Sequence, residues 1–226
     1  MTRPAVSIVV PVLDEAGQIE ATLAALGPLR RQGTEVIVVD GGSQDGTVAL
    51  ARAEADAVLD APRGRARQMN AGAAAARGEV LLFLHADTIL PTEADRHVLR
   101  AVAGGRDWGR FDVRIAGRHP MLRVVAMLMN WRSRLTGIAT GDQAIFVRRE
   151  LFQRIGGFPD QPLMEDIELS RRLRRVSAPA CLPARVTTSG RRWESRGVWR
   201  TIFLMWRLRW RYWRGESAHR LAAAYR

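Results

Sequence analysis

Apolar runs alternate with amphipathic stretches along roughly the first 90 residues of the chain. The apolar runs are short and rich in β-branched residues, which predicts buried strands at 6–12, 35–40, 57–59 and 79–84. The intervening stretches have helical spacing or are rich in alanine, which predicts helices over 16–31, 47–54 and 65–77. Asp14 is the predicted N-cap of the first helix. This alternation predicts an α/β fold with a Rossmann-like, mostly parallel sheet and helices on both faces.

The pattern changes after residue 87. Residues 108–115 alternate like a half-exposed strand, and residues 121–135 are apolar around most of the helix, which predicts a buried or membrane-facing segment. Further elements are predicted as a strand over 144–147 and helices over 91–103, 149–155 and 165–174. We predict one domain over 1–195, with a nucleotide-binding half to about residue 90 and an acceptor and catalytic half after it. A helical extension over 196–226 follows.

Residues 198–214 predict an amphipathic helix at the end of the chain. At 100° per residue one face collects Trp199, Ile202, Phe203, Trp206, Trp210 and Trp213, and four arginines lie beside that face. A basic, tryptophan-rich face is typical of helices at the membrane interface. The alternative is a helix packed on the core with its arginines in solvent. A lipid-linked acceptor would suit the first interpretation.

Composition narrows the classes of partner. The net charge is +12 and all 35 basic residues are arginines, which favours phosphate-bearing ligands or an anionic membrane surface. The arginines do not lie on a nucleic-acid reading module, so we expect no nucleic-acid partner. A single cysteine, Cys181, suits a reducing compartment. Without a leader or an apolar run of about 18 residues, we expect a cytoplasmic protein, peripheral on the inner face of a membrane.

Carboxylates follow several of the apolar runs, where parallel strands of an open sheet open onto a ligand crevice. Asp87 comes directly after the fourth predicted strand and suits Mg²⁺ or Mn²⁺, with nucleotide phosphates completing the coordination. His85 is either a second ligand or a structural histidine. Glu165 and Asp166 begin a predicted helix, where they either stabilise its dipole or act as a general base.

The first strand–helix turn lacks the G-x-G-x-x-G pattern of dinucleotide folds. Val12 and Leu13 are instead predicted to sandwich a base while Glu15 bonds its polar edge, although the segment equally suits a plain helix start. Asp40 is placed to bind a base or ribose hydroxyl, and the glycines after it permit close approach of a ligand. A glycine-rich turn without a ligand is the alternative there.

With these motifs in this order and at these spacings, the chain resembles the family 2 glycosyltransferases, the inverting group with the GT-A fold. The resemblance covers about residues 5–195 and rests on residues 6–15, 40–47, 85–87, 141–143, 156–158 and 165–166. More narrowly, the chain is similar to a small bacterial branch with His85-Ala86-Asp87 in place of D-x-D. Residues 64–72 and 189–193 also resemble that branch.

The resemblance implies a role for each motif residue. The donor, most often a UDP-sugar, would be held by Pro11, Val12, Leu13, Glu15, Asp40, Ser43, Ala86 and Gln143, with Arg67 and Asn70 nearby. Asp87 would ligate Mg²⁺ or Mn²⁺, with His85 as a second candidate. The catalytic candidates are Asp166 as general base, then Glu165 and Asp142. Arg192 and Trp193 parallel the R-W element of processive members, but Ser189 stands where their glutamine would, which argues against processive polymerisation.

The predicted activity is therefore transfer of a sugar, of hexosyltransferase type, to an acceptor hydroxyl with inversion. Two rivals remain. A sugar-phosphate nucleotidyltransferase usually has a glycine-rich first loop and a phosphate-binding lysine, and the chain has neither. An inactive membrane or nucleic-acid adaptor on the same fold would not need Asp40, Asp87 and Asp166.

Overall fold

The computed structural model describes residues 3–225, and those residues form an eight-stranded sheet flanked by helices. The strands are β1 (Val6–Val12), β2 (Glu35–Asp40), β3 (Ala57–Asp60), β4 (Val80–Phe83), β5 (Thr88–Ile89), β6 (Trp108–Ala116), β7 (Phe146–Arg148) and β8 (Ala180–Ser189). Their spatial order is β3-β2-β1-β4-β7-β6-β8-β5. Pairing is parallel from β3 through β4 and between β6 and β8, whereas β7 and β5 run antiparallel to their neighbours. The predicted mostly parallel α/β sheet is confirmed.

Helices cover both faces of this sheet. They are α1 (Ala16–Arg31), α2 (Thr47–Glu54), α3 (Arg65–Ala75), α4 (Ala94–Ala103), α5 (Met121–Thr136), α6 (Arg149–Arg154), α7 (Glu165–Arg174), α8 (Arg191–Arg196), α9 (Val198–Trp213) and α10 (Ala218–Tyr225). A single 3-10 turn spans Gly141–Gln143. The predicted domain (1–195) and extension (196–226) include residues 1–2 and 226, which lie outside the described residues.

The core divides into two layers because successive strand residues point to opposite faces. In β1, Val6, Ile8, Val10 and Val12 join the cluster that includes α1, while Val9 joins the cluster that includes α3. All seven residues of β1 are buried. The continuous apolar runs of the sequence therefore reflect strands that are covered on both sides.

Several predicted details were wrong. Asp14 does not cap α1: it adopts a left-handed φ of 53° and its carboxylate accepts a hydrogen bond from the Gln44 amide, while α1 begins after Glu15. The strand predicted from residue 144 begins at Phe146, because Ala144 also has a left-handed φ, of 47°. Of the two alternatives for α5, the fully buried one is excluded, since Met127, Trp131 and Leu135 are exposed along one side, and the membrane-facing one stays a prediction.

β5 and β8 were not predicted from the sequence. Around Pro183 the pairing of β8 with β6 shifts register, from Leu182 opposite Phe111 to Arg185 opposite Asp112. Proline lacks the N–H that a ladder requires, so it interrupts both the hydrogen bonding and the two-residue alternation. The sequence of β8 therefore has no continuous alternating pattern, and the strand is recognised from its pairing with β6 in the structure.

The C-terminal helices pack on the body of the protein through a small apolar cluster. Leu208 of α9 and Leu221 of α10 bury Met164, the residue immediately before α7. The opposite side of α9 is open: Trp206 is 65% exposed and Trp213 is 80% exposed. Among the residues that the structure describes, no helix has the length and apolar character to cross a membrane.

Gly72 sets the distance between α3 and the sheet, which gives a stability prediction. A Cβ there would overlap the side chain of Val9 and approach Cγ2 of Val39 to 2.9 Å. We expect Gly72→Ala to destabilise the protein by about 1–3 kcal/mol, because overpacking forces the helix away from the strands. Gly17→Ala is the matched control: it lies in α1 with nothing within 4 Å of the added carbon, so it should stabilise by up to about 1 kcal/mol. Urea unfolding of both variants measures the difference, and equal midpoints would contradict the close contact.

Candidate active site

A cleft of about 310 Å³ opens where β1 and β4 end and α3 begins. Pro11, Val12, Leu13 and Glu15 form one wall, and His85, Ala86 and Asp87 form another. These seven residues were all predicted to bind nucleotide or metal, and the structure brings them together. The reason is topological: β1 and β4 are adjacent and parallel, so their carboxyl ends meet at the same edge.

The third wall comes from the start of α3 and was missed. Arg63, Gly64, Arg65 and Gln68 line the cleft. The Gln68 side chain is buried, and its Nε2 donates to the carbonyl oxygens of Val12 at 2.7 Å and Val39 at 2.9 Å. It thereby joins the ends of β1 and β2. In the sequence, Gln68 is a polar residue on the buried face of an alanine-rich helix. Helical periodicity places such a residue in the core but does not give it a function.

Asp40 and Ser43 lie one strand away and act on the loop rather than line the cleft. The Asp40 carboxylate accepts the backbone N–H groups of Gly42 and Ser43 at 2.8 and 2.9 Å. The Ser43 hydroxyl in turn accepts the N–H of Asp14 at 2.9 Å, and Thr47 Oγ1 accepts that of Glu15 at 2.8 Å. The loop after β2 therefore positions the loop after β1, and the loop after β1 carries residues of the cleft.

Arg67 and Asn70 point away from the cleft. The guanidinium of Arg67 forms a two-point ion pair with Asp160, at 2.8 and 2.9 Å, on the exposed surface. Asn70 exchanges two hydrogen bonds with the backbone of Phe158, at 2.9 and 3.0 Å. The pair of bonds fixes the loop that follows Gly156 and Gly157. Arg65, two residues before Arg67, is the α3 arginine that lies in the cleft.

A second group of side chains adjoins the cleft through His85. Nδ1 of His85 lies 3.3 Å from Oδ1 of Asp142, and a Cβ at Gly141 would overlap the imidazole ring. The Gly141 amide donates to Oδ2 of Asp166 at 2.8 Å. A small cavity beside these residues is lined by His85, Gly141, Glu165 and Asp166. The three predicted catalytic carboxylates therefore belong to one cluster, on the opposite side of His85 from the nucleotide cleft.

The surroundings shift the pKa values of two acids of this cluster in opposite directions. Glu165 is 6% exposed, and burial, reinforced by the charge of Asp166, raises its pKa. Desolvation by the surrounding protein would also raise the pKa of the half-exposed Asp142, but the hydrogen bond and charge of His85, with Arg65 and Arg209, lower it. Desolvation disfavours the charge of Arg65, although that residue is exposed, yet nearby acids, Glu165 foremost, raise its pKa. The surroundings thus favour protonation of Glu165 and disfavour protonation of Asp142.

Glu165 and Asp166 are held by a strained turn. Met164 has a left-handed φ of 64°, an unusual conformation for a non-glycine residue. Its side chain is buried by Leu208 and Leu221 of the C-terminal helices. Such strain persists only where the surroundings enforce it, so α9 and α10 stabilise the geometry of the catalytic candidates.

The remaining predicted residues lie at the edges of the site. Gln143 is fully buried and accepts the Thr140 amide at 3.2 Å, which makes it part of the 3-10 turn. Arg192 stacks on the ring of Tyr225 at 3.9 Å, and Trp193 packs against the larger core cluster. The charge of Arg191, the residue before Arg192, lowers the pKa of Glu15 against burial and Asp87, which raise it.

The oxygen donors of the cleft fit a divalent metal ion whose coordination sphere is completed by the phosphates of a ligand. Burial, followed by the charge of Asp87, raises the pKa of Glu15, so the two carboxyl groups are close enough to interact. No group of three or more histidine, cysteine or acidic side chains within residues 3–225 could hold a metal without a ligand's help. His85 is already engaged through Nδ1 with Asp142, and its ring packs on Gly141. Asp87 is therefore the best-placed ligand.

A mostly parallel α/β sheet thus carries a cleft at the carboxyl ends of β1 and β4, with a carboxylate cluster next to it. A family model for "Glycosyl transferase family 2" matches residues 7–156. The chain belongs to this family, as the motif resemblance predicted.

Named relatives agree with this assignment. "Probable glycosyltransferase YdaM" of Bacillus subtilis is 26% identical over 95% of this chain and 56% of its own length. "Glycosyltransferase AglE" of Haloferax volcanii is 36% identical over 38% of this chain and 31% of its own length. The chain thus spans between about a third and about half of these relatives.

Solved structures show the same fold. The mannosyltransferase PcManGT from Pyrobaculum calidifontis, in complex with GDP-Man and Mn²⁺, has a TM-score of 0.65 and 26% identity, over 92% of this chain and 61% of its own. S. aureus TarS in complex with UDP has a TM-score of 0.67 and 19% identity, over 81% of this chain and 60% of that chain.

Proposed function

We propose that this protein transfers a hexose from a nucleoside-diphosphate sugar to an acceptor hydroxyl with inversion, and that the donor is a UDP-sugar. One observation carries the proposal: His85 joins a nucleotide-sized cleft that ends at Asp87 to the carboxylate cluster of Glu165 and Asp166. A donor in the cleft would have its anomeric carbon near that cluster. The related PcManGT structure, in complex with GDP-Man and Mn²⁺, supports a nucleotide-sugar donor, and the TarS structure in complex with UDP supports the choice of base.

The two halves of the domain would then divide the chemistry. Residues up to about 90 would hold the nucleotide, with Val12 and Leu13 on the base, Glu15 on its polar edge and Asp40 fixing the loop beneath. Arg65, which the motif did not identify, would offset the charge of the diphosphate from the base of the cleft. A Mg²⁺ or Mn²⁺ ion on Asp87 would further neutralise the leaving group. The residues after about 90 would hold the acceptor.

Asp166 is the proposed general base. It would take the proton of the acceptor hydroxyl as the oxygen attacks the anomeric carbon, while the bond to the diphosphate breaks on the opposite side. Glu165, whose pKa is raised by burial and by Asp166, is the alternative base. Asp142, whose oxygen lies 3.3 Å from Nδ1 of His85, would orient that ring. The nucleotidyltransferase rival lacks support because the first loop has no glycine-rich, basic sequence.

The first prediction from the proposed function concerns donor binding. We expect Asp87→Ala to abolish Mn²⁺-dependent binding of UDP while the fold survives, because Asp87 supplies the main protein ligand. Asp60→Ala is the matched control: it removes a carboxylate at the end of β3, outside the cleft. Isothermal titration with UDP, with and without Mn²⁺, measures both variants. Wild-type affinity in Asp87→Ala would remove the metal role, and binding of no nucleotide by the wild type would reject the proposed function.

The second prediction concerns turnover. Asp166→Asn should leave UDP affinity nearly unchanged and reduce kcat by about 10²–10⁴-fold, the usual cost of a lost general base. The asparagine oxygen can still accept one of the two backbone bonds that Asp166 receives, from Gly141 or Ile167. Donor hydrolysis or transfer at saturating UDP-sugar gives the rate. If Asp166→Asn is fully active and Glu165→Gln is not, Glu165 is the base.

We also propose that the protein lies at the inner, cytoplasmic face of a membrane. α9 has one side that packs on the protein and another that is open. Leu208 packs on the body of the protein. The exposed side chains are Trp199, Phe203, Trp206, Trp210 and Trp213. α5 adds an exposed apolar side of its own, with Met127, Trp131 and Leu135. Apolar faces of this size on a protein of net charge +12 fit an anionic lipid surface.

The third prediction tests that surface. The wild type should co-sediment with phosphatidylglycerol vesicles, and salt should weaken the binding. Replacing Arg200, Arg207 and Arg214 with glutamine should release it, since each basic residue contributes about 1 kcal/mol at an anionic surface. The control variant replaces Arg52, Arg106 and Arg154, which are exposed elsewhere and give the same charge change. Equal release of both variants would indicate a non-specific charge effect.

A further inference from the structure

Two arginines in the seam between α5 and α9 have buried nitrogen atoms without partners. Among residues 3–225, Nε and Nη2 of Arg132 and Nε of Arg209 are shielded from solvent and contact no hydrogen-bond acceptor. Buried guanidinium groups are normally paired, so unpaired ones call for an explanation. Arg132 lies in the helix predicted over 121–135 and Arg209 in the one predicted over 198–214, but neither arginine was assigned a role from the sequence.

The same part of the fold shows how a structural arginine is satisfied. Arg110 is 0% exposed, and it donates to Asp112, to the Ser133 hydroxyl at 3.0 Å and to the Asn130 carbonyl at 3.2 Å. Arg132 follows Asn130 by two residues yet has no comparable set of partners. The contrast indicates that Arg132 and Arg209 are held ready for a group that is not part of the protein.

The two guanidinium groups interact electrostatically with each other and with the carboxylate cluster. Burial lowers the pKa of Arg132 to about 10, and the charge of Arg209 acts in the same direction, whereas Asp166 opposes both. Burial likewise lowers the pKa of Arg209, against the opposing charges of Asp166 and Asp142. With a pKa of about 10, Arg132 is cationic at neutral pH. Both side chains are thus within electrostatic range of the proposed general base.

The seam lies next to the exposed apolar sides of α5 and α9. At 100° per residue, Arg132 lies on α5 between buried Val125 and exposed Leu128. Arg209 lies on α9 near Ile202, which packs on the core cluster containing Val125. The exposed apolar sides of both helices begin next to the seam. An anion there would sit at the border between the carboxylate cluster and the apolar surface.

We propose that Arg132 and Arg209 bind a phosphate ester group of the acceptor and so hold its hydroxyl beside Asp166. This rests on the proposed function, and it names the acceptor class. A phosphate is favoured over a carboxylate because its oxygens point in several directions and can satisfy two separate guanidinium groups. The donor diphosphate is the less favoured source, because neither arginine lines the nucleotide cleft.

The experiment uses Arg132→Met and Arg209→Met, which keep the aliphatic stem and remove the charge. Thermal unfolding is followed while sn-glycerol 3-phosphate is added, because a ligand of the folded state raises Tm with its concentration. We expect saturable stabilisation of the wild type, loss of it in both variants, and no loss in Arg123→Met, an exposed arginine of α5. Without ligand, both variants should unfold at or above the wild-type Tm, whereas loss of a merely structural arginine would lower it.

Two further titrations separate the sources of the phosphate. Affinity for UDP with Mn²⁺ should be unchanged in Arg132→Met and Arg209→Met, and a tenfold or greater loss would assign the arginines to the donor diphosphate and overturn the proposal. If the phosphate belongs to a lipid, vesicles containing phosphatidylglycerol should compete with sn-glycerol 3-phosphate for the wild type. If it belongs to a soluble acceptor, they should not. An unchanged sn-glycerol 3-phosphate response in the variants, or no response in the wild type, overturns the proposal. Because UDP binding is read separately, failure here leaves the proposed function standing.

Discussion

Parallel pairing of β1 with both β2 and β4 is the constraint on which the rest of the site depends. It brings the loops after Val12, Asp40 and Phe83 to the same edge of the sheet. Both faces of these strands are covered by helices, so their interiors are mostly apolar, and the polar side chains that line the cleft lie beyond the strand ends. Gln68 then completes the arrangement, since its amide bridges the carbonyls of Val12 and Val39. The cleft is therefore a consequence of strand order and of one buried side chain.

The carboxylate cluster depends on contacts that are far apart in the chain. β7 returns antiparallel to β4, which sets the turn Gly141–Gln143 against His85. Asp166 then accepts the Gly141 amide, and Leu208 and Leu221 enclose the strained Met164. A protein that lost α9 and α10 would lose the support of this turn. The C-terminal helices thus support the turn that precedes Glu165 and Asp166, in addition to presenting an apolar surface.

Local pattern was sufficient for the first part of the fold. The strands from Val6 and Glu35 and the helices from Ala16 and Thr47 lie where periodicity predicted them. Periodicity failed for β8, where Pro183 disrupts both alternation and register. It left two alternatives open for α5, because an apolar sequence does not distinguish a face that packs on the core from a face that meets solvent or lipid. Element type followed from local sequence, whereas element exposure did not.

The sequence by itself determined that carboxylates stand at strand ends, that the turns around them are of the glycosyltransferase type, and that the last long helix is basic and rich in tryptophan. Only the tertiary structure decided which arginine of each cluster faces the site. Arg65 lies in the cleft while Arg67 pairs with Asp160, and Arg132 and Arg209, on two different helices, are within electrostatic range of each other. The physical reason is that a side chain's charge and type are local properties. Its direction and its partners are set by packing between segments separated by tens of residues.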